Sequence, residues 1–486
     1  MLNKNSPYRI ISLLLVGVVS GCMVGPDYRN PVLTPHAAWQ NTGSTTFDTS
    51  SSDPALLARW WQALKDPLLT SLVEESARNN LDYKLAMARL REARARRGYA
   101  SSDRYPTVNL GGGVARNQSS DDTGGGRTSD SFSAKLDASW EADIFGGKQR
   151  ATESANATVE AAVENANDVR ISLLAEVVLA YLEIRSTQNR MIFTHNSIAN
   201  LEETLQMTSW RYQAGLVTRL DEEQARLNLE QTRAQLPPLE SSLATSRNNL
   251  TLLLGRDSGT LKELDAIAPL PSSPARLAVG IPAETLRRRP DVRKAERELA
   301  AATAQIGVAE AQRYPDLTLS GTLGLQSKNL GSLFQPGAIM YALAANSLMT
   351  IFDGGRLKQQ VEIQNALQEQ SLISYKKSVQ SALRDTENAL SAYASELNRR
   401  TSLSKALASA TTAARLAENQ YQAGLVDFTT VLDSQRSLLT LQDQLIQSDA
   451  AVTSNLARLY KTLGGGWEYG VTNNPQTAAT ASGEKQ

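Results

Sequence analysis

Two stretches of the chain alternate apolar and polar residues with a period of two. In the first, Val108, Leu110, Gly112 and Val114 alternate with Thr107, Asn109, Gly111 and Gly113. Phe132, Ala134, Leu136, Ala138, Trp140 and Ala142 then alternate with Ser133, Lys135, Asp137, Ser139, Glu141 and Asp143. Between them, 116–131 is rich in Gly, Ser, Asp and Thr and predicts a flexible loop. The second run has the length a tilted membrane-spanning strand needs, about 9–11 residues. Asp143 to Gly147 ends it, so 106–143 reads as one β-hairpin. A second hairpin is expected at 316–351. There Leu317, Leu319, Gly321, Leu323 and Leu325 alternate with Thr318, Ser320, Thr322 and Gly324, and a loop follows at 327–337. Its partner run, 338–351, alternates poorly.

Elsewhere the apolar period is helical. Residues 148–211 contain neither Pro nor Gly. A helix there would be roughly 95 Å long at ~1.5 Å per residue. Its apolar residues form two stripes, Val169, Leu173, Val177 and Ala180 beside Ile171, Leu174, Val178 and Tyr181. Two stripes suit a helix packed between two neighbours in a wall. The turn 212–217 ends it, and a returning helix runs from Thr218 to Gly255, interrupted at Pro237-Pro238. A Pro-rich connector, 256–282, follows. The second half contains a helix at 283–313, a long Pro-free helix at 356–420, a turn at 421–426 and a returning helix at 428–463. Ahead of the first hairpin, helix runs from Pro54 to about Ser101 with a break at Asp66-Pro67. The segment 22–53 is turn-rich and extended, and the polar tail 464–486 is predicted to be disordered.

The two halves are copies. Asp82 to Pro106 matches Asp291 to Pro315, and YQAGLV at Tyr212 recurs at Tyr421, both 209 residues on. IFGG at Ile144 recurs as IFDGG at Ile351, two residues out of register. Repeat 1 spans 54–255 and repeat 2 spans 283–463. Duplication points to one interleaved fold rather than a row of separate domains.

Composition narrows the function. With 50 basic and 50 acidic residues the chain carries no net charge, so no nucleic-acid footprint is present. The two histidines, His36 and His195, lie far apart in sequence, which leaves no His-rich metal site and no basis for a His-centred triad. No G-x-S-x-G, H-E-x-x-H or phosphate-loop motif is present, so no catalytic residue and no metal ligand is assigned. The single cysteine, Cys22, follows a basic region (Lys4, Arg9), an apolar run from Ile10 to Val19 and small residues. Residues 1–21 therefore read as a secretory signal. V-S-G-C at 19–22 resembles a bacterial lipobox, whose cysteine carries lipid after cleavage. The alternative is an ordinary signal peptide with a chance cysteine. Met23, where the inner-membrane retention signal usually has Asp, points to outer-membrane sorting.

Four strands cannot close a barrel, and lipid does not tolerate an open edge. Three chains would supply about twelve strands, within the range of outer-membrane barrels. The long helices carry too many charges for lipid, among them Glu176, Arg185, Arg190, Glu202 and Glu203. They are expected to project into water as a helical tube with both YQAGLV turns at its far end.

The motifs V-S-G-C, MVGPDYRNP at 23–31, RRRPDVRKAERELAAATAQIGVAEAQRYP at 287–315, IFDGG at 351–355 and YQAGLVDFTTVLDSQRSL at 421–438 carry a resemblance. The chain resembles the TolC-like outer membrane factor family, in particular its lipidated branch with OprM and NodT-like proteins. The resemblance implies a mainly α protomer with a transmembrane β portion, assembled as a homotrimer. Such a trimer has a 12-stranded β-barrel joined to a long periplasmic α-helical barrel. It implies a periplasmic adaptor and an inner-membrane pump of the resistance-nodulation-division type as partners. No cofactor is implied beyond lipid at Cys22, and the cargo stays open.

The resemblance also transfers gate residues. Asp433 matches the acidic residue that rings the narrow periplasmic entrance, and Arg436 a residue with linking contacts beside it. Thr429 falls where an apolar ring, usually Leu, is found. Asp221 matches an acidic tip residue of the first repeat, and Tyr421 a tip tyrosine. Three Asp433 carboxylates near one axis would repel unless paired or hydrated, and would favour cations. The plainer reading is that Asp221 and Asp433 sit in first helical turns, where carboxylates meet the positive dipole end. Gly215 and Gly424 are expected to supply positive φ at the turns. A structural or adhesive lipoprotein is the rival to a channel, but it would not need the alternating hairpins.

Overall fold

The computed structural model describes residues 23–31, 38–40, 47–48, 54–271 and 277–467. Cys22, the signal segment 1–21, most of the extended segment 32–53 and the tail from 468 lie outside the described residues. The helices, in chain order, are α1 (Pro54–Ala58), α2 (Pro67–Asn79), α3 (Leu81–Ser102), α4 (Asp121–Gly124), α5 (Gly147–Gln213), α6 (Arg219–Arg233) and α7 (Leu236–Leu254). They continue as α8 (Pro282–Arg288), α9 (Pro290–Ala311), α10 (Arg356–Gln422) and α11 (Phe428–Thr462). The strands are β1 (Phe47–Asp48), β2 (Thr107–Gln118), β3 (Thr128–Glu141), β4 (Leu277–Ala278), β5 (Asp316–Ser327) and β6 (Ile339–Leu348). The chain divides into two compact units. One comprises residues 1–32, 89–163 and 294–377, the other 33–88, 164–293 and 378–486.

The first unit holds an antiparallel sheet in the order β2-β3-β5-β6. Its register aligns Leu110 with Leu136, Leu136 with Leu323, and Leu323 with Tyr341, one apolar row across all four strands. Val108, Val114, Ile339 and Leu343 lie on the same face, since side chains two apart on a strand share a face. Leu110 and Leu343 are more than four-fifths exposed. The opposite face is polar at its middle, where Lys135 pairs with Asp137 at 3.0 Å and Thr322 Oγ1 donates to Asp137 at 2.7 Å. β6 shows why 338–351 alternates poorly. Ile339, Tyr341 and Leu343 face one way, but the other face holds the small apolar Ala342 and Ala344. The strand stops at Leu348, before the expected end. The segment 116–131 is not a simple loop. The β2–β3 ladder continues through Arg116↔Asp130 to Gln118↔Thr128, and the one-turn helix α4 caps the hairpin. Backbone pairing extends a ladder through polar residues once the strands are aligned, which hydrophobic pattern cannot report.

Both long helices run 67 residues, two or three longer than the Pro- and Gly-free segments suggest. Among the described residues no helix is long and apolar enough to cross a membrane. The other helices are more divided than expected. The break at Asp66-Pro67 is present, and Asp66 Oδ1 caps α2 by accepting from the Leu69 amide at 3.0 Å. A second break falls at Asn80, whose Oδ1 accepts from the Tyr83 amide at 2.9 Å while its Nδ2 donates to the Leu253 carbonyl at 3.0 Å. The repeat places Arg289 at the matching point, and helix 283–313 is split there because Arg289 precedes Pro290. The Pro237-Pro238 interruption lies earlier, at Ala234-Gln235. The prolines occupy the first turn of α7, where their missing N–H groups cost nothing.

The second unit is built on a core that includes Trp60, Trp61, Leu69, Leu72, Leu174, Val178, Tyr181, Leu182, Leu250, Leu390 and Leu456. Residues of both α5 stripes are buried in it. Arg185, read from sequence as a charge facing water, is instead 2% exposed. It donates to the Tyr181 hydroxyl at 3.1 Å, to Gln188 at 2.9 Å and to the Ala266 carbonyl at 2.6 Å. Tyr181 donates in turn to Asp66 at 2.5 Å, and burial, with that bond second, pushes its phenol up to about 12. The Pro-rich connector contributes β4, which pairs in parallel with β1 of the N-terminal segment. The C-terminal tail does not begin at 464, because Trp467 is buried and Gly464 to Gly466 are packed.

Candidate functional site: the helix-turn-helix tips

Both YQAGLV segments fold alike. The Leu216 amide donates to the Arg211 carbonyl at 2.8 Å and the Gly215 amide to that of Tyr212 at 2.9 Å. In the second repeat Leu425 donates to Gln420 at 2.9 Å and Gly424 to Tyr421 at 3.0 Å. This pair of bonds is a Schellman ending, which needs a left-handed residue just past the helix. Gly215 and Gly424 supply it with φ of 72° and 73°.

The tips then diverge. Thr218 caps α6 in a reciprocal box: Thr218 N–H donates to Asp221 Oδ2 at 2.8 Å, and Asp221 N–H to Thr218 Oγ1 at 3.4 Å. Asp221 is thus a first-turn carboxylate, as the plainer reading expected. Asp433 is not. It stands in the second turn of α11, with 77% of its side chain exposed, and the first-turn explanation does not apply to it. Thr429, Asp433, Arg436 and Thr440 follow helical spacing and are all exposed, so they form one solvent-facing stripe. The opposite face of α11 buries Phe428, Val431 and Leu432 with Ala225 and Ala417.

Arg436 Nη1 lies 3.9 Å from Asp433 Oδ1, an open surface pair of small energetic weight. Its Nε donates to Asn228 Oδ1 at 3.3 Å, which joins α11 to α6. Tyr421 packs against the apolar cluster, its ring 5.3 Å from Phe428 and 4.8 Å from the Arg211 guanidinium carbon. Burial raises its phenol pKa, with nearby Arg211 opposing and Asp221 adding to the rise. The structure therefore brings Thr429, Asp433 and Arg436 together on one face. Asp221 and Tyr421 serve the turn and the packing beneath it. Asn228, Arg211 and Phe428 were not singled out from sequence. Asn228 was detectable as a polar residue one position from the apolar Leu229.

A family model of outer membrane efflux proteins matches residues 72–256 and 281–465, two segments with the same 209-residue offset as the repeat. Nodulation protein T of Rhizobium leguminosarum bv. trifolii is 32% identical over 459 residues, covering 92% of this chain and 94% of that protein. The toluene efflux pump outer membrane protein TtgF of Pseudomonas putida is 30% identical over 481 residues, 96% of this chain and 98% of the relative. A solved structure of the outer-membrane channel OprN superposes with a TM-score of 0.87 at 33% identity, covering 92% of this chain and all of the other. The family match over both repeats, the sequence identity and the fold agree, and the chain belongs to the outer membrane efflux protein family.

Proposed function

We propose that the chain forms the outer-membrane channel-tunnel of a tripartite efflux system. It takes small molecules from a periplasmic adaptor and an inner-membrane pump of the resistance-nodulation-division type and conducts them outward. The observation that carries this reading is the four-stranded sheet, which has one exposed apolar face and two edge strands, β2 and β6, unpaired among the described residues. An apolar face in contact with lipid and edges joined to neighbouring copies satisfy both features, and three chains give about twelve strands. The charged long helices then line a periplasmic tube. The chain acts as a conduit and not as a catalyst. Purified protein is expected to run as a heat-modifiable trimer and to give small discrete conductance steps in planar bilayers. A folded protein without steps would favour a structural lipoprotein instead.

The entrance is assigned to the α11 stripe: Asp433 as the charged constriction, Thr429 as a polar second ring, and Arg436 as the link to α6 through Asn228. Asp221 and Tyr421 hold the tip geometry beneath it. At the other end of the chain, Cys22 carries the lipid. Cys22→Ala is expected to abolish incorporation of labelled palmitate while trimers still form. Persistent labelling would remove the lipobox.

A further inference from the structure

The segment that follows Cys22 is held by a site of its own. The Val24 amide donates to the Phe145 carbonyl at 3.1 Å. Arg150 donates from Nε to the Val24 carbonyl at 3.2 Å, and from Nη2 to the Gly25 carbonyl at 3.2 Å and to Asp27 at 2.7 Å. The Arg150 side chain is 2% exposed, and Glu153 neutralises its remaining side at 2.8 Å. Shape selects as strongly as charge. Gly25 has φ of 86°, and a Cβ there would lie 2.4 Å from the Gly307 Cα. A Cβ on Gly307 would meet the Arg150 stem at 2.7 Å, and one on Gly146 would meet Met23 at 2.6 Å. Further along, Tyr28 donates to Glu296 at 3.2 Å and lies under Arg297.

Within the protomer, the matching helix–strand junction of the other repeat has no such clamp among the described residues. The residues 209 positions from Arg150 and Gly307 in the other repeat are Gln359 and Gly98. Gln359 is exposed, and a Cβ on Gly98 would meet nothing within 4 Å. Of the two junctions, among the described residues, the one that combines the arginine, three close glycine approaches and two recognised main-chain carbonyls is the one where the N-terminal segment passes.

We propose that the Arg150–Gly307–Gly146 site is a docking site for the chain's own mature N-terminus, residues 23–27. It fixes the lipid-bearing end beside the turn that follows β3. This proposal rests on the reading of Cys22 as the lipid attachment point. Met23, packed on Gly146, is one residue from that cysteine in sequence. Lipid and clamp act as two attachments of one strap.

The test compares the wild type, Arg150→Gln (the residue of the other repeat), Gly25→Val and Cys22→Ala as full-length protein in membranes. The readouts are palmitate labelling, hydrogen exchange at the Val24 amide and unheated trimer. Both clamp variants are expected to keep the label, to speed Val24 exchange by roughly tenfold or more, and to reduce unheated trimer. Combining either with Cys22→Ala is expected to lose more trimer than the separate effects predict. Gly25→Val alters only the strap, so it tests the clamp even if Arg150→Gln misfolds. Unchanged Val24 exchange in Gly25→Val overturns the proposal. Loss of the lipid reading alone would appear as an unlabelled wild type with the clamp's exchange protection intact.

Discussion

Asp433→Ala is expected to raise unit conductance by roughly twofold or more and to weaken cation preference. The carboxylate is 77% exposed on a stripe that faces solvent, and its ion pair with Arg436 is 3.9 Å long. Its removal disturbs little of the fold, because the α11 core contacts are made by Phe428, Val431 and Leu432 on the other face. On the proposed assignment three such carboxylates would face one axis of the trimer, where an anionic ring attracts cations and opposes anions. Asp221→Ala is the control. It loses the N3 half of the Thr218 capping box, worth about 0.3–1.5 kcal/mol, so it is expected to lower stability slightly without a matching gain in conductance. Single-channel recording of both variants beside the wild type checks this. Equal steps for wild type and Asp433→Ala would move the constriction away from the α11 stripe.

Leu323→Arg is expected to prevent stable insertion of the sheet. Leu323 lies mid-strand in the row formed with Leu136 and Tyr341, and is 59% exposed. Arginine on the lipid face of a barrel costs about 2–4 kcal/mol near the bilayer midplane, repeated in each copy of a symmetric assembly. Ser320→Arg places the same charge on the opposite face, opposite Ser139 and Ala344, and is expected to be tolerated. The measurement is the amount of unheated trimer recovered from outer membranes. Similar recovery of the two variants would mean that the exposed apolar face does not meet lipid.

Local order explains where sequence reading succeeds. Period two marks β3 because its faces differ sharply, Leu136 and Trp140 against Lys135 and Asp137. It marks β6 poorly because Ala342 and Ala344 blur the polar side. The 67-residue helices are legible because nothing in them breaks a helix. The split at Arg289-Pro290 is written in the sequence as well, because a residue that precedes proline is pushed out of the helical region. The break at Asn80 has no such signal, since it depends on the Leu253 carbonyl that its side chain reaches.

By itself, the sequence determined the duplication, the four strands with one apolar face, the length of the two helices and the glycine turns at their ends. Each of these follows from periodicity, from a missing breaker or from the φ that only glycine adopts easily. The tertiary structure alone decided which charges are solvent-facing and which are structural. Arg185 reads as a surface cation in a charged helix and Arg150 carries no signal of burial in its local pattern, yet both are buried because partners 81 and 123 residues away supply acceptors. It also separated two aspartates that looked equivalent, Asp221 bound into a helix cap and Asp433 left open to solvent. Both distinctions depend on where distant backbone carbonyls and turns lie, and that is set by packing between segments rather than by the pattern within any one of them.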